Sequence, residues 1–453
     1  MSTSAHRTSL PPTAILPGDA GYEQGRRVWN GTIDRRPLAI VPCRTVDDVV
    51  QTVRAAADQG VPLAVRGGGH SLPGFSTCDG GIVLDLAPMS GVRVDADSRT
   101  ALVGGGATWR DVDAATEPFG LATTGGLVSS TGVGGLTLGG GIGWLTRRCG
   151  LACDNLLGAT LVTAAGDVVI AGADADPELL WGLRGGGGNF GVVTEFEFRL
   201  HPVPTVTGGM AMFDAERARE VFAFWREWVS TLAEELTPML VLLEGPPVEG
   251  VPKNLHGRPV LAIAGCDVAD AHRAAEHLAP VRDLRPDLFA FDEMPYTSLQ
   301  RMFDADLPAG DRYYFKGGFG SAYPDSMLDV LLEHFDRRPG PRCEVDVHHM
   351  GGAASRVGDM DTAFPGRSAA FTSNVYACWT DPAQDDAHRA WARDLAAALH
   401  ARGDARNYVN FMSEVDASLA EVAYGDERLA RLRELKRRHD PSNLFRLNHN
   451  VAP

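Results

Sequence analysis

Glycine is concentrated in one stretch of this chain, and that concentration limits what the stretch can form. Of the 52 glycines in the 453 residues, 31 fall between residues 51 and 200. Of these 31, 15 lie in three runs, at 67–69, 132–143 and 185–191, without the period of three that marks collagen. Glycine lets backbone approach another group closely, because no Cβ is in the way. The runs therefore predict loops that wrap a bound group.

Charge and cysteine content exclude several classes of function. The chain has 42 Lys and Arg against 58 Asp and Glu, a net charge of −16, whereas nucleic acid and anionic lipid require a basic surface. The 7 cysteines have neither zinc-finger nor CxxC spacing, so we expect no metal site and free thiols in a reducing compartment. No segment has the apolar core of a signal peptide or the ~20 apolar residues of a membrane span. We expect a cytoplasmic protein with no nucleic-acid or membrane partner.

Hydrophobic patterning predicts an α+β fold in two unlike parts that meet near residues 202–204. Strands are predicted at 62–65, 82–86, 101–103, 159–164, 192–200, 258–266 and 343–350. Helices are predicted at 45–59, 177–183, 214–236, 384–402 and 426–439. The longer helices after the boundary favour a second domain with an antiparallel sheet.

The third glycine run contains a GxGxxG pattern, at Gly186, Gly188 and Gly191. In a dinucleotide-binding βαβ unit this pattern follows a strand and opens a helix. Here a predicted helix precedes it and a predicted strand follows it. The pattern therefore does not indicate a nicotinamide-dinucleotide site.

Five motifs in order resemble one family over nearly the whole chain. They are RGGGHS at 66–71, CDGGIVLDL at 78–86, GVGGLTLGGGIGWLTRRCGLACDNL at 132–156, LWGLRGGGGNFGVVTEFEF at 180–198, and a tail with YVNF at 408–411 and DPSNLFRLNHN at 440–450. They resemble the berberine-bridge-enzyme-like branch of the vanillyl-alcohol oxidase superfamily. The resemblance implies a two-subdomain FAD-binding domain at 1–205, an α+β substrate domain at 206–403 with an antiparallel sheet covered by helices, and a segment at 404–453 that returns to the FAD domain.

The resemblance also implies which residues contact FAD. They are Arg66, Gly67, Gly68, Gly69, His70, Ser71, Gly126, Val128, Ser130, Gly132, Gly134, Gly135, Gly139, Gly140, Gly143, Trp144, Asn189, Gly191, Val192, Val193, Asn410, Asn448 and Asn450. Consecutive glycines after a strand expose backbone N–H groups that can converge on a pyrophosphate. Asn448 and Asn450 are equally compatible with bracing the tail.

His70 occupies the position at which the family bonds a histidine to the 8α-methyl of the flavin. Many relatives add a second bond through a cysteine, and in this chain Val128 stands in that place. Cys149 and Cys153 lie beyond the glycine run and do not match the motif. The resemblance therefore implies FAD held by one covalent bond.

The family's usual base, a tyrosine, is replaced here by Phe411, which cannot take a proton. A substitute is suggested by the strand at 343–350, because period-2 alternation places Glu344, Asp346 and His348 on one face. We expect Asp346 or His348 to do acid–base work. The alternative is that the alternation only marks a strand with one face in solvent, so that these residues have no catalytic role.

Other residues receive roles from the resemblance. Thr131 matches the residue that gates oxygen, and Tyr408 lies in the tyrosine motif as a site wall; both are counted among the candidate catalytic residues. Candidate cavity residues are Tyr313, Tyr314, Lys316 and Tyr376, all of which are also compatible with core or surface positions.

These features favour an FAD-dependent oxidase that acts on a small organic alcohol, amine, enol or phenol and uses O2 as acceptor. Because the tyrosine base is absent, a substrate that is already acidic, such as an enol or phenol, is favoured. Such a substrate could also be oxygenated, which would make the enzyme a monooxygenase. A dehydrogenase with another acceptor and a catalytically silent flavoprotein stay open. Either a monomer or a homodimer is expected.

Overall fold

The computed structural model describes residues 9–402, 407–414 and 417–453, so the domain boundary expected at 403–404 lies outside the described residues. The strands are β1 Ala39–Pro42, β2 Leu63–Arg66, β3 Ile82–Asp85, β4 Val92–Asp95, β5 Thr100–Gly104, β6 Leu121–Ala122, β7 Leu156–Val162, β8 Val168–Gly172, β9 Val192–Arg199, β10 His201–Pro202, β11 Thr205–Asp214, β12 Leu236–Glu244, β13 Pro259–Asp267, β14 Leu288–Pro295, β15 Arg312–Gly320, β16 Cys343–His349, β17 Phe371–Trp379 and β18 Asn407–Met412.

The α-helices are α1 Tyr22–Gly25, α2 Val46–Gln59, α3 Trp109–Thr116, α4 Val133–Leu138, α5 Thr146–Cys149, α6 Pro177–Leu183, α7 Ala218–Val229, α8 Ala271–Asp283, α9 Tyr296–Leu299, α10 Asp325–Phe335, α11 Ala353–Arg356, α12 Asp385–His400, α13 Ala417–Tyr424 and α14 Asp426–His439. Among the residues that the structure describes, every helix is too short or too polar to cross a bilayer.

The first part of the chain forms two larger sheets and a two-stranded sheet of β6 and β10. A three-stranded parallel sheet has the order β1-β3-β2, and a five-stranded antiparallel sheet has the order β4-β5-β9-β7-β8. Helix α2 packs on the parallel sheet, and Thr45 and Asp48 begin it with reciprocal side-chain-to-backbone hydrogen bonds. The first glycine run directly follows β2, at the carboxyl end of that sheet.

The second part is built on an eight-stranded antiparallel sheet, in the order β14-β11-β13-β12-β16-β17-β15-β18. One face packs against α7, α10 and α12, with Trp225, Leu331 and Leu395 in the core. The opposite face turns toward the glycine runs and lines the cavity described below. The sheet therefore has a helix-covered side and a cavity side.

The C-terminal segment divides between the two parts. Its strand β18 pairs with β15 and forms an edge of the eight-stranded sheet. Its helix α14 places Leu429, Leu432 and Leu435 in the core of the first part, beside Phe190. The expected return of this segment to the FAD domain therefore applies to helix α14, whereas strand β18 belongs to the sheet of the second part.

Most of the predicted elements are present. Helices α6 and α14 have the predicted bounds, and α2 and α12 differ by one or two residues at an end. The helix predicted at 214–236 was too long, because α7 ends at Val229 and β12 begins at Leu236. Helix α4 was not predicted, since it lies inside the second glycine run. The GxGxxG pattern follows helix α6 and precedes strand β9, the reverse of the order in a dinucleotide-binding βαβ unit. This order agrees with the prediction that the pattern is not a nicotinamide-dinucleotide site.

Candidate active site

A cavity of about 690 Å³ lies between the glycine runs and the cavity side of the eight-stranded sheet. Many of the predicted cofactor and catalytic residues line it. These are Gly67, Gly68, Gly69, His70, Ser71, Gly126, Val128, Thr131, Gly132, Gly134, Gly135, Gly139, Gly191, Val193, Asp346, His348, Tyr376, Tyr408, Asn410 and Asn448. The fold thus brings segments from both parts of the chain to one site.

The glycines of the runs serve two different purposes. At Gly135 and Gly188, an added Cβ would find no atom within 4 Å and both residues line the cavity, so a side chain there would occupy the cavity itself. At Gly68, an added Cβ would lie 2.4 Å from the backbone nitrogen of Gly132, so these two runs are packed directly on each other. Part of the glycine excess therefore opens the cavity, and part lets the loops approach one another.

His70 is held on the cavity wall by two contacts. Its ring stacks on the indole of Trp29, with centroids 4.7 Å apart and planes at 16°. Its Nε2 lies 3.0 Å from the hydroxyl oxygen of Ser130. Burial lowers the pKa of His70 to about 4, so the imidazole is neutral at neutral pH and one ring nitrogen carries a free electron pair.

The residues on this side of the cavity fit an FAD. The cradle at Gly135 and Gly188 is free of side chains, and the neutral imidazole of His70 faces the same space. Asn448 also lines the cavity, and its side-chain oxygen is buried without a partner among the described residues. A polar, close-fitting ligand would satisfy that oxygen.

The polar side chains of the sheet lie opposite, on β16 and β17. Glu344, Asp346 and His348 line the cavity, whereas Val345 and Val347 lie in the helix-covered core. The alternation predicted from the sequence is therefore confirmed, but the polar face is not solvated: Asp346 is 9% and His348 6% exposed. Such polar groups line an enclosed site.

The three polar groups on β16 have unequal affinities for protons. Burial, opposed by a hydrogen bond from Tyr376, raises the pKa of Glu344 to about 7. Burial and the neighbouring Glu344 raise the pKa of Asp346 well above its usual range. Burial alone lowers the pKa of His348 to about 4, and its Nε2 has no partner among the described residues. At neutral pH the site therefore presents a neutral imidazole beside a protonated Asp346.

Tyr408 is held by donors. Its hydroxyl oxygen accepts hydrogen bonds from the Gly141 N–H at 3.0 Å and from the Asn410 amide at 2.9 Å. Asn410 also donates to the carbonyl of Leu136 at 3.0 Å. Burial raises the pKa of Tyr408 to about 12. This tyrosine braces β18 against the second glycine run and lines the cavity, as expected of a site wall, and a catalytic role for it stays a prediction.

Apart from Glu244 at the end of β12, the rest of the sheet's cavity side is apolar. Strands β11, β12 and β13 contribute the cavity-lining residues Met210, Met212, Met239, Val241, Leu243, Ala262 and Ala264. Phe411 also lines the cavity, with its ring 6.0 Å from that of His348. The space opposite the glycine runs is therefore polar at β16 and β17 and apolar at β11 to β13.

Several predicted contact residues do not reach the cavity. They are Arg66, Ser130, Gly140, Gly143, Trp144, Asn189, Val192 and Asn450, together with the candidate substrate residues Tyr313, Tyr314 and Lys316. Arg66 is paired with Asp85 at 2.7 Å. Ser130 reaches the site only through His70. Contact of these residues with FAD or substrate therefore stays a prediction.

Residues near the glycine runs mostly pack the protein on itself. Trp144 stacks on Phe303 with centroids 5.9 Å apart. The amide of Asn189 donates to the carbonyl of Gly186 at 2.8 Å and accepts from the N–H of Val451 at 2.9 Å. Added Cβ atoms at Gly140 and Gly143 would strike the ring of Phe364 and the carbonyl of Gly125. Val192 lies in the apolar core, and the side-chain oxygen of Asn450 is buried without a partner among the described residues.

On β15, the predicted tyrosines and lysine have partners away from the cavity. Tyr314 and Lys316 both bind the carboxylate of Glu414, the lysine at 2.6 Å. Tyr313 donates from its hydroxyl to the carbonyl of Pro308 at 2.6 Å. The alternation of β15 instead directs Phe315 to the cavity.

Trp29, Asn374 and the methionines also line the cavity and were not predicted from the sequence. Trp29 lies in a segment without regular structure, and no local pattern marks it. Asn374 lies opposite Asp346 in the register of β16 and β17, which the sequence does not reveal. The alternation of Met210 and Met212 on β11 was a signal that could have been used.

Comparisons with known proteins agree with this arrangement. The family model described as FAD binding domain matches residues 37–172, and that described as berberine and berberine like matches residues 407–452. An FAD-linked oxidoreductase of Dictyostelium discoideum is 31% identical over 98% of this chain and 95% of its own length. The (R)-6-hydroxynicotine oxidase of Paenarthrobacter nicotinovorans is 32% identical over 98% of this chain and 97% of its own.

The crystal structure of 6-hydroxy-D-nicotine oxidase from Arthrobacter nicotinovorans superposes with a TM-score of 0.86 at 29% identity, over 97% of each chain. Its fold therefore extends over both parts of the present structure. Together with the matches at both ends of the chain, this likeness shows that the protein belongs to the berberine-like FAD-linked oxidoreductases.

Proposed function

We propose that this oxidoreductase is an oxidase that holds FAD through one covalent bond to His70 and passes electrons from a small organic substrate to O2. The observation that carries the proposal is that His70 and the polar side chains of β16 line one cavity. FAD bound there would supply the two-electron acceptor, held by the glycine cradle and by His70. The 32% identical relative named as an oxidase supports the same reaction class.

A single covalent bond is supported by the surroundings of the cysteines. Val128 lines the cavity where relatives have a bonded cysteine. Cys153 does not line it, and burial raises the pKa of its thiol far above the usual range, so it carries no reactive thiolate. His70 is neutral and can form the bond through a ring nitrogen.

We place the acceptor of the substrate's O–H or N–H proton at His348. His348 lines the cavity, and its Nε2 is buried and lacks a partner among the described residues. Burial keeps the imidazole neutral, so an electron pair is available for the proton. Phe411, at the usual tyrosine position, packs beside it and excludes water.

Asp346 then has a positioning role. Because its pKa is raised well above the usual range, it stays protonated at neutral pH and can donate a hydrogen bond to a substrate oxygen or nitrogen. Glu344 and Tyr376 hold the next position along the same wall. The methionine-lined half would hold the apolar body of an alcohol, amine, enol or phenol.

Thr131 supports the choice of O2 as acceptor. It lines the cavity between the second glycine run and Val128, and its short side chain leaves room for a small gas. If reduced protein reoxidised only over minutes in aerated buffer, a dehydrogenase would replace the oxidase.

The experiment combines spectra with product analysis. The purified protein should be yellow, should keep its flavin after acid precipitation, and should bleach anaerobically with one member of an alcohol, amine and phenol panel. One H2O2 formed for each O2 consumed identifies an oxidase. Incorporation of ¹⁸O from O2 into product would identify a monooxygenase, and no bleaching with any compound would indicate a silent flavoprotein.

The proposal also covers the domain boundary, the cellular compartment and the oligomeric state. The two parts meet near residues 202–204, and the helices and core of each part support this division.

The cysteines are all unpaired, which supports a reducing, cytoplasmic setting. Monomer and homodimer are distinguished by light scattering.

A further inference from the structure

Trp29 links His70 to the eight-stranded sheet. Its indole is stacked between two rings: His70 at 4.7 Å and 16°, and Tyr313 of β15 at 3.8 Å and 12°. Trp29 is 8% and Tyr313 1% exposed, so the stack excludes water. The imidazole therefore cannot turn out of this plane without leaving the stack.

Backbone hydrogen bonds fix Trp29 from both parts of the protein. Its N–H donates to the carbonyl of Gly69 at 3.2 Å, and its carbonyl accepts from the N–H of Gly310 at 2.8 Å. Its indole N–H donates to the carbonyl of Leu307 at 3.1 Å. The indole is thus held against both the first glycine run and the loop before β15.

Asn30 reinforces the same connection. Its amide donates to the carbonyls of Leu72 and Tyr313 at 3.1 and 3.0 Å, and its oxygen accepts from the N–H of Tyr313 at 3.1 Å. Asn30 is 1% exposed. The residues that surround His70 are therefore set by contacts between the two parts, and not by the first glycine run alone.

We propose that Trp29 and Ser130 are positioning residues for covalent attachment of the flavin: Trp29 fixes the plane of the His70 ring, and Ser130 accepts the Nε2–H so that Nδ1 presents its electron pair to the cavity. This rests on the covalent bond in the proposed function. Burial keeps the ring neutral and so preserves that electron pair. A freely rotating imidazole would present its nitrogen to the flavin only part of the time.

Covalent attachment is a two-electron oxidation at the 8α-methyl group of the flavin. His70 forms a bond from its ring nitrogen to the 8α-methyl carbon, and one methyl C–H bond breaks. The electron pair of that C–H bond reduces the ring system by two electrons, which takes up two protons, one from the methyl group and one from the imidazole. O2 then removes the two electrons and two protons as H2O2.

The test measures covalent attachment and not turnover. Protein is expressed with limiting riboflavin, so that part of it is purified without covalent flavin, and is then incubated with FAD in air. The rise in covalent flavin is followed by fluorescence in denaturing gels and by acid precipitation. Trp29→Leu should attach flavin about tenfold more slowly, which is the value of one aromatic stack. Trp29→Phe keeps an aromatic ring and should restore most of the rate, and Ser130→Ala should slow attachment.

The chain offers a matched control in Trp379, which stacks on His388 with the same 4.7 Å and 16° but does not line the cavity. Trp379→Leu should attach flavin at the wild-type rate. If Trp29→Leu does not fold, Ser130→Ala decides the question. Attachment at the wild-type rate in either folded Trp29→Leu or Ser130→Ala overturns the proposal. Loss of all flavin from acid-precipitated wild-type protein would instead overturn the covalent bond itself.

Discussion

His348 follows Asp346 by two residues on β16, and both side chains enter the cavity while Val347 between them lies in the opposite core. Burial affects their protons in opposite ways. It lowers the pKa of His348 to about 4 and raises that of Asp346 well above the usual range. Both groups are therefore uncharged at neutral pH, one able to accept a proton and the other able to donate a hydrogen bond.

Replacement of His348 should slow flavin reduction strongly. His348→Leu removes the nitrogen that accepts the proton, and we expect anaerobic reduction to slow by about 100-fold or more. The matched variant Asp346→Asn exchanges one neutral hydrogen-bonding group for another, so its rate should fall by less than about tenfold. Stopped-flow absorbance measures both. A larger loss in Asp346→Asn than in His348→Leu would move the base to Asp346.

Glu344 should make stability depend on pH. Its pKa in the folded protein, about 7, lies above its ordinary 4.5, so the folded state binds the proton more tightly. The stabilisation is complete below pH 4.5 and is lost as the pH rises through 7, with a slope of up to about 1.4 kcal/mol per pH unit. Glu344→Gln should flatten this part of the stability curve.

The measurement for Glu344 is chemical denaturation at several pH values between 4.5 and 8. The exposed Glu276 provides the control, because Glu276→Gln should leave the wild-type slope unchanged. Equal slopes in wild type and Glu344→Gln would show that this carboxyl does not retain its proton in the folded protein.

Removal of His70 should release the flavin from denatured protein. His70→Ala keeps the glycine cradle, so we expect it to bind FAD but to lose all colour on acid precipitation. Cys153→Ser should stay yellow, because Cys153 does not line the cavity. Mass spectrometry of flavin-containing peptides checks both, and a flavin on a peptide with Cys153 would contradict the single bond.

A larger side chain at Thr131 should slow reoxidation. Thr131→Leu fills space on the cavity wall, and we expect the reaction of reduced protein with O2 to slow by about tenfold. Val128→Ala, at a neighbouring lining position, should not slow it. Stopped-flow mixing with aerated buffer measures both rates, and unchanged reoxidation in Thr131→Leu would exclude the gating role.

Lys436 should be needed to hold the third glycine run. Its ammonium, 0% exposed, donates to the carboxylate of Asp440 at 2.7 Å and to the carbonyls of Asn189 and Phe445 at 2.9 Å. Lys436→Met leaves the buried Asp440 without its charge partner and should lower the free energy of unfolding by about 3–5 kcal/mol.

The adjacent Arg437 is the control for Lys436. It is half exposed and paired with the exposed Glu434, so Arg437→Met should cost at most about 1 kcal/mol. Denaturation curves followed by flavin release compare the two. Equal stability in both variants would mean that Lys436 does not anchor the third glycine run.

Local patterns in the sequence were sufficient where the chain itself carries the signal. Helices with an amphipathic face, such as α2 and α14, were predicted with nearly correct bounds. The strands β12, β15 and β17 were missed, because β12 is buried on both faces and shows no alternation. Helix α4 was hidden by its glycines, which have low helix propensity.

The sequence by itself determined the family, the glycine runs, the position of His70 and the alternation of Glu344, Asp346 and His348, because these depend on residue type and spacing. Only the tertiary structure decided that Trp29 and Asn374 belong to the site, that Arg66 and Asn189 brace the protein, and which glycines open the cavity. The physical reason is that these properties arise from contacts between segments far apart in the chain. Burial in the assembled cavity, and not local sequence, also sets the proton affinities of His348 and Asp346.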